Sequence, residues 1–354
     1  MTPRECYDRR MLSPVDSVAY RAQQFGLLLG ATVLQESARL LTRTPRPDLR
    51  AVIPELRART EALFARDLAN VREGLYPREL LFQIPAATYA RRLPQLLRDA
   101  PRVIARKRRG DYKDVPVVDK DQYPAYYRRT FHWQTDGYLS EHSAAVYDLG
   151  VELLFRGTAD IMRRQVIPPV TRWLRAHPDR TKVRVLDVAC GTGRTLSQLA
   201  TAHPHLAYHG VDLSPPYVRA ARALLADVEQ CALAVENAEA LPYADGAFDV
   251  VTCVYLFHEL PRNARRRVMA ELVRVLAPGG LLVIEDSAQH ADSPTLATVL
   301  ASFPREFHEP FFNDYLEDDL VPMAEAAGAI AVSAEPMLVA KVVTAEKPRA
   351  PGAA

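Results

Sequence analysis

The sequence predicts an α/β protein with a doubly wound sheet of seven strands, an antiparallel last strand and an all-α region before the sheet. Three observations predict this fold. From residue 183 onward, short apolar runs alternate with helical segments, which is typical of parallel strands covered on both faces. Two further apolar runs near the end follow each other closely enough to pair. The first hundred residues show helical periodicity.

Five apolar runs predict the parallel strands. They are VRVLDV (183–188), LAYHGVD (206–212), CALAVE (231–236), FDVVTCVY (248–255) and LLVIED (281–286). Helices are expected near 194–202, 215–227 and 262–276, and a Pro-Gly-Gly stop at 278–280 ends the third. After one more helix, AIAVSAE and MLVAKVVTA predict an antiparallel pair. Together these elements predict a Rossmann-like sheet.

The order of segments predicts four regions along the chain. Residues 1–110 are expected to form a helical N-terminal domain, in which Ser13-Pro14 begins a helix and Pro85, Pro94 and Pro101 interrupt a later helical stretch. Residues 111–178 are expected to hold a linker, a lid and connecting helices. The sheet domain is assigned to 179–345, and a disordered tail to 346–354.

Composition excludes several functions. The net charge of +2 gives no electrostatic reason to expect nucleic acid as a partner. No signal peptide is recognised, and the longest apolar runs are too short for a membrane span, so we expect a cytoplasmic protein. The basic stretch RVIARKRRG allows at most peripheral membrane contact, and the N-terminal helices allow a homodimer. The 4 cysteines show no metal-ligand spacing, so no metal site is predicted.

The turn ACGTGRT follows the first strand of the predicted sheet. Gly191 and Gly193 allow a tight turn and a close approach of the backbone to a ligand. This is no P-loop, because Lys-Ser/Thr is missing, and Leu196 stands where a dinucleotide fingerprint needs glycine. Asp187 ends the first strand and Asp212 the second, where a carboxylate can bind ribose hydroxyls. Either acid is about equally well explained as a helix cap.

The segments VLDVACGTGR, GVDLS, ENAEALPYADGAFDVV and LVRVLAPGGLLVIED resemble the class I S-adenosylmethionine-dependent methyltransferases, over roughly residues 180 to 344. The branch containing the ubiquinone and menaquinone C-methyltransferases is the most similar. The resemblance implies S-adenosyl-L-methionine as cofactor and a set of cofactor-binding residues. That set is Ala189, Gly191 and Gly193 for the methionine part, Asp187 for its amino group, Asp212 for the ribose, and Leu213, Asn237 and Ala238 for the adenine, with Val254 after the fourth strand. The family usually has Asp at the position of Asn237.

Candidates for catalysis come from loops that should face the sulfonium. His258 and Glu259 follow the fourth strand, and His308 lies in the excursion SFPREFHEPFFNDY, with Phe311 and Phe312 as substrate candidates. A structural role is equally plausible for His258 and favoured for His308. The aromatic residues of this excursion are also consistent with core packing.

The stretch FHWQTDGYLSEHSAAVYD (131–148) precedes the cofactor domain. In the resembling family this position commonly folds over the cofactor as a lid, which predicts Tyr138 as a cofactor contact and His132, Trp133 and His142 as substrate contacts. Simple packing between the two regions is the equal alternative for Trp133.

The sequence therefore predicts methyl transfer, by in-line displacement, to oxygen or carbon of an apolar or aromatic small molecule. The alternatives are a nicotinamide-dependent oxidoreductase and a macromolecule-directed or non-catalytic member of the same fold.

Overall fold

The computed structural model of the chain describes residues 12–42, 50–119 and 121–349. Six helices precede the sheet: α1 Pro14–Thr42, α2 Ile53–Arg72, α3 Ala86–Arg109, α4 Glu141–Leu154, α5 Ala159–Arg163 and α6 Ile167–Ala176. Ser13 caps α1, because its hydroxyl accepts the Asp16 amide while the Asp16 carboxylate accepts the Ser13 amide. Within the described ranges, no helix has both the length and the apolar character needed to cross a bilayer.

Seven strands form one sheet in the order β3-β2-β1-β4-β5-β7-β6. They are β1 Arg184–Val188, β2 Ala207–Asp212, β3 Cys231–Val235, β4 Phe248–Val254, β5 Leu276–Ser287, β6 Ile330–Met337 and β7 Ala340–Glu346. The first five run parallel, and β7 is antiparallel to both of its neighbours. The predicted doubly wound sheet with an antiparallel last strand and an all-α region before it is confirmed.

The helices between and after the strands follow the expected alternation. They are α7 Arg194–Ala202, α8 Pro215–Leu224, α9 Arg262–Val275, α10 Ala297–Phe307, α11 Phe312–Glu317 and α12 Leu320–Ala326. The order places β1 and β4 side by side at the centre, so the strand order reverses beside β1. A crevice at the carboxyl ends of the strands forms at such a switch point.

The N-terminal helices share a hydrophobic core with the sheet. Leu63 and Phe64 of α2 belong to the same buried cluster as Val185 of β1 and Val250 of β4. Leu186, the neighbour of Val185, points to the other face of the sheet and joins a second cluster with α9 and α12. Alternate residues of β1 therefore hold layers on both faces, as a doubly wound sheet requires.

A buried ionic network connects α2 to the segment after α5. Arg164 donates from Nε to Oδ1 of Asp67 over 2.7 Å, and its second nitrogen reaches Oδ2. Tyr20 and Tyr76 also donate to this carboxylate. Since Asp67 and Arg164 are 0% and 3% exposed, loss of either partner would leave a buried charge without compensation.

Two predictions concern the proline-containing helical stretch and the C-terminal tail. Of the prolines expected to interrupt the later helical stretch, Pro85 does so, since α3 begins directly after it, whereas Pro94 and Pro101 lie inside α3, which continues through both. The disordered tail was expected at 346–354. Glu346 is instead the last residue of β7, and residues 350–354 lie outside the described part.

Candidate active site

An open cavity of about 720 Å³ lies at the carboxyl ends of β1, β2, β3 and β4. Eight of the ten predicted cofactor residues line it: Tyr138, Ala189, Gly191, Asp212, Leu213, Asn237, Ala238 and Val254. They come together because the strands are parallel, so that the turn after each strand meets the others at one edge of the sheet.

The turn after β1 has the backbone geometry of a ligand-binding loop. Ala189 has φ 59°, Gly191 φ 55° and Gly193 φ 84°, all in the left-handed region that favours glycine. Ala189 holds this conformation although it has a Cβ, a strain that is often found at functional sites. Gly193 does not line the cavity. A Cβ there would lie 3.1 Å from that of Ala221, so this glycine allows α7 to pack on α8.

Asp212 holds the loop and faces the cavity. Its two carboxylate oxygens accept the backbone amides of Gly191, over 2.9 Å, and of Ser214, over 2.8 Å. Burial raises the pKa of Asp212 to about 6, although both amides act in the opposite direction. The group is therefore ionised at neutral pH, with lone pairs left to accept further hydrogen bonds.

Asp187, the other predicted acid, lies beneath the cavity rather than in its wall. It is 1% exposed and accepts the Thr252 hydroxyl over 2.6 Å. Burial raises its pKa to about 7, against the effect of that hydrogen bond. Its side chain joins β1 to β4 through Thr252.

The wall formed after β2 and β3 combines apolar groups with an amide and the carboxyl group of Glu236. Leu213, Asn237 and Ala238 all line the cavity. The side-chain oxygen of Asn237 accepts the backbone amide of Glu239 over 2.9 Å. This bond fixes the side chain of Asn237 in a local turn, which an aspartate could form equally well.

Residues 131–140 close over the cavity. His132, Trp133, Asp136 and Gly137 all have positive φ, and a Cβ on Gly137 would lie 2.4 Å from the carbonyl oxygen of Arg129. Ser214 donates its hydroxyl to the carbonyl of Tyr138 over 2.5 Å, which joins this segment to the start of α8. The tight turn therefore brings Tyr138 into the cavity wall.

An aromatic wall surrounds Tyr138. The ring centroid of Tyr138 lies 5.5 Å from that of Tyr217, 5.9 Å from Tyr127 and 6.0 Å from Tyr147. Tyr127, Tyr147, Tyr217 and Tyr255 line the cavity but were not predicted from the sequence. The tyrosine pair in YPAYYRRTF could have indicated an aromatic wall. It lies far from the glycine turn in sequence, so it was not connected with the cavity.

His258 and Asp286 form a buried pair at the ends of β4 and β5. Nδ1 of His258 lies 2.6 Å from Oδ1 of Asp286, whose other oxygen accepts the Phe257 amide over 2.7 Å. Burial opposes the charged imidazole, but the Asp286 carboxylate outweighs it, so the pKa of His258 lies above its ordinary value. Glu259 lines the cavity and accepts the hydroxyl of Tyr138.

His132 of the lid lies close to this pair. Its Nε2 is 3.4 Å from Oε1 of Glu259, and its Nδ1 is 3.1 Å from Oε1 of Glu309. The ligand atoms of His132, His258 and Glu259 all lie within 4.8 Å of one another, although nothing in their sequence spacing indicated a common site. Burial raises the pKa of Glu309 to about 8, against the effect of His132.

The remaining predicted residues lie outside the cavity wall. His308 stacks between Tyr112 and Trp133, at 4.9 Å from each ring, and burial lowers its pKa to about 4. His142 pairs with Asp99 of α3 over 2.5 Å. Phe311 contacts Tyr126 edge to face at 6.4 Å, and Phe312 is a core residue whose ring lies 6.0 Å from that of His258.

A smaller polar hollow adjoins the glycine turn. Arg163 and Arg194 line it, and both bind Asp160, over 2.9 Å in the case of Arg163. Thr192 donates its hydroxyl to Asp148 over 2.8 Å on the same side. Asp148 and Arg163 were not predicted from the sequence, because they lie on helices well before the turn.

Comparison with known proteins identifies the domain. Residues 185–280 match the family described as "Methyltransferase domain". This part of the chain is therefore similar to that family. The match spans β1 to the start of the apolar run of β5, and so contains the glycine turn, Asp212 and the turn after β4.

Relatives of the methyltransferase domain agree with the resemblance seen in its motifs. Demethylmenaquinone methyltransferase of Thermus thermophilus is 37% identical over 121 residues, covering 32% of this chain and 53% of the relative. The 27-O-demethylrifamycin SV methyltransferase of Amycolatopsis mediterranei is 38% identical over 113 residues, covering 31% and 40%. The chain thus spans about half the length of the curated relatives it matches. The resemblance to the branch with the quinone methyltransferases is confirmed.

Among solved structures, the CurJ carbon methyltransferase matches with a TM-score of 0.46 at 16% identity, covering 58% of this chain and 59% of that one.

Proposed function

We propose that the protein transfers a methyl group from S-adenosyl-L-methionine to oxygen or carbon of an apolar or aromatic small molecule. The observation that carries the proposal is one cavity that joins the Gly191 turn and the Asp212 carboxylate to Glu259, the neighbour of the buried His258–Asp286 pair. The first two suit a ribonucleoside with an amino-acid tail, and the pair suits proton removal from an acceptor.

The residues fit the cofactor by the chemistry of their donors and acceptors. Asp212, ionised and already fixed by two amides, would accept both ribose hydroxyls. Leu213 and Ala238 offer apolar contact for a purine, and Asn237 an amide edge. The adjoining hollow offers Arg163 and Arg194 near the position expected for a carboxylate. When bound, the cofactor supplies a methyl group already activated by the positive sulfur.

The protein's own part in transfer is orientation and proton removal. In-line displacement needs the acceptor held on the far side of the methyl carbon, and the aromatic wall and the lid supply that confinement. We assign acceptor deprotonation to Nε2 of His258. Asp286 holds Nδ1 of the ring and would stabilise the imidazolium that forms, as a carboxylate does in other acid–base pairs.

The acceptor class follows from the wall of the cavity. Six tyrosines line it, which supports a flat or apolar acceptor with a polar group near Glu259: Tyr126, Tyr127, Tyr138, Tyr147, Tyr217 and Tyr255. The relatives named for demethylmenaquinone support the same direction, since that acceptor is a ring with oxygens and an apolar tail.

The test follows the methyl group itself. Full-length protein is incubated with methyl-labelled S-adenosylmethionine and an extract separated into lipid, small-molecule and protein fractions. We expect label in the lipid or small-molecule fraction, and much less label with the Asp212→Asn variant at a cofactor concentration that the wild type needs for half-saturation. Label in protein alone would favour a macromolecule-directed enzyme. Thermal stabilisation by NAD and by neither sulfur cofactor would refute the assignment in favour of an oxidoreductase.

A further inference from the structure

Two imidazoles and a carboxylate converge beside the cofactor cavity. Nε2 of His132 lies 3.4 Å from Oε1 of Glu259, and Nε2 of His258 lies 4.0 Å from the same oxygen. The three come from the segment predicted as a lid and from the turn after β4. We propose that His132, His258 and Glu259 bind a divalent transition-metal ion.

The far nitrogen of each imidazole faces a second carboxylate. Nδ1 of His258 lies 2.6 Å from Asp286, and Nδ1 of His132 lies 3.1 Å from Glu309. Histidine ligands of metals usually have such a carboxylate behind them, because it fixes the tautomer and makes the other nitrogen a better ligand. In His258 the hydrogen bond from Nδ1 to Asp286 directs the Nε2 lone pair towards Glu259, and Nε2 of His132 faces the same oxygen. A cation between them removes the repulsion that this arrangement otherwise creates.

Three carboxyl groups, those of Glu259, Asp286 and Glu309, surround the two imidazoles. Glu309 is 1% exposed, and neither of its oxygens has a hydrogen-bond partner among the described residues. In the described part of the chain, the ion pairs of Glu259, Asp286 and Glu309 all go to histidine and none to arginine or lysine. Buried carboxylates require a nearby positive charge, and a divalent ion supplies it to all three.

The ligand set selects the kind of ion. Two imidazole nitrogens and one carboxylate suit Zn²⁺, Fe²⁺, Co²⁺ or Mn²⁺ better than Mg²⁺ or Ca²⁺, which prefer oxygen ligands. Metal–ligand bonds of about 2.1 Å place neighbouring ligand atoms roughly 3 to 3.5 Å apart. The 3.4 Å separation already meets this condition, and the 4.0 Å separation requires a small inward movement of side chains. Three protein ligands leave open positions for a further oxygen.

The site's role rests on the proposed function, whereas binding of the ion does not. Glu259 lines the cavity, so an ion here would contact a hydroxyl of the acceptor. The ion lowers the pKa of that hydroxyl, whose proton passes to water, and His258 becomes a ligand instead of the base. The oxygen then forms a bond to the methyl carbon while the electron pair of the carbon–sulfur bond returns to sulfur. The acceptor class becomes a molecule with an ionisable hydroxyl, such as a hydroquinone or enol.

Cobalt binding tests the proposal without any need for activity. Full-length protein stripped with a chelator is titrated with Co²⁺ and followed by visible absorption and calorimetry. We expect one ion per chain and a visible band, with affinity lowered roughly 100-fold or more by His132→Asn or Glu259→Gln, and about 10- to 100-fold by Asp286→Asn. His290→Gln, at a surface histidine paired with Glu317, is the matched control and should bind Co²⁺ as the wild type does.

The outcomes separate the metal site from the methyltransferase. No Co²⁺ binding, or binding that both ligand variants retain while their melting temperatures match the wild type, would overturn the site. Loss of binding in His290→Gln would mark it as adventitious surface binding. Stripped protein that binds S-adenosylhomocysteine but no Co²⁺ would refute the site and leave the proposed function intact. Co²⁺ binding without cofactor binding would refute the proposed function and leave the metal site intact. Asp212→Asn should lose cofactor binding and keep Co²⁺ binding.

Discussion

Asparagine in place of Asp212 is a nearly isosteric change that tests the cofactor cavity at its centre. The carboxylate accepts the amides of Gly191 and Ser214, one on each oxygen. Asparagine offers a single acceptor oxygen, so its amino group would face one of those two N–H donors. The variant should therefore loosen the glycine turn as well as lose a charged acceptor for the ribose.

The size of the effect follows from these bonds. A hydrogen bond to a charged group contributes about 1.5–3 kcal/mol. Loss of one charged bond to the ribose, with some cost in the turn, amounts to about 3 kcal/mol, or roughly 150-fold in the dissociation constant. Calorimetry with S-adenosylhomocysteine measures this directly. Asp245→Asn is the control. The Asp245 side chain is 78% exposed and pairs with Arg274 at the surface, so the affinity of this variant for S-adenosylhomocysteine should stay within about twofold of the wild type.

The pH dependence provides a second check on Asp212. Burial raises its pKa to about 6, and the ribose requires the ionised form. Wild-type affinity should be fully present above pH 6 and fall up to about tenfold for each pH unit below it, whereas the Asn variant should lack this dependence. An Asp212→Asn variant that binds the cofactor as tightly as the wild type would refute the assignment of this carboxylate to the ribose.

Three further predictions concern stability and the lid. Asp67→Ala leaves Arg164 buried without a partner, so urea unfolding should show a loss of about 3–5 kcal/mol. His203 is buried and its pKa is lowered to about 3, so protonation favours the unfolded chain below pH 6.5. Its contribution to stability is present above pH 6.5 and falls by roughly 1.4 kcal/mol per pH unit as the pH drops, a slope that His203→Gln should remove. Tyr138→Phe keeps the ring but loses the bond to Glu259, so kcat/KM should fall about 10- to 100-fold with little change in melting temperature.

Each of these predictions has an outcome that contradicts it. A loss below 1 kcal/mol for Asp67→Ala, similar to that of the exposed control Glu61→Ala, would mean that the buried network contributes no more than a surface pair. Identical acid sensitivity of His203→Gln and wild type would assign that sensitivity to other groups. Unchanged turnover of Tyr138→Phe would remove the lid tyrosine from the site.

The sheet was predictable because its signal is local. Val185 and Leu186 are both fully buried, so each parallel strand is a continuous apolar run that the sequence displays directly. The cofactor turn was predictable for the same reason, since Gly191 and Asp212 each follow such a run. Topology alone then brings them together.

The misjudged features depend on contacts between distant segments. The four arginines at the start of α9 suggest a solvated face, which Arg262, Arg266 and Arg267 do form. Arg265 is instead fully buried and binds Asp314 and Asp318, about fifty residues later. Proline in α3 predicts breaks, but proline removes only one amide donor, and the helix continues through Pro94 and Pro101. Contacts of this kind have no signature in local spacing.

Large separation in sequence is also the reason why the groups next to the cavity were not predicted to lie together. His132 and Glu309 lie far apart in the chain. From the sequence, His308 was named as a catalytic candidate and its neighbour Glu309 was not. The left-handed turn at His132 and Trp133 and the end of α10 decide which side chains face inward. His308 packs between two aromatic rings, whereas Glu309 faces His132.

A crystal structure of the protein with S-adenosylhomocysteine tests the central claim most directly. We expect the ribose hydroxyls within hydrogen-bond distance of Asp212, the adenine beside Leu213 and Ala238, and the sulfur on the side of Tyr138 and Glu259. Ligand density elsewhere, or a cofactor with its ribose away from Asp212, would contradict the proposal that this cavity is the methyl-transfer site.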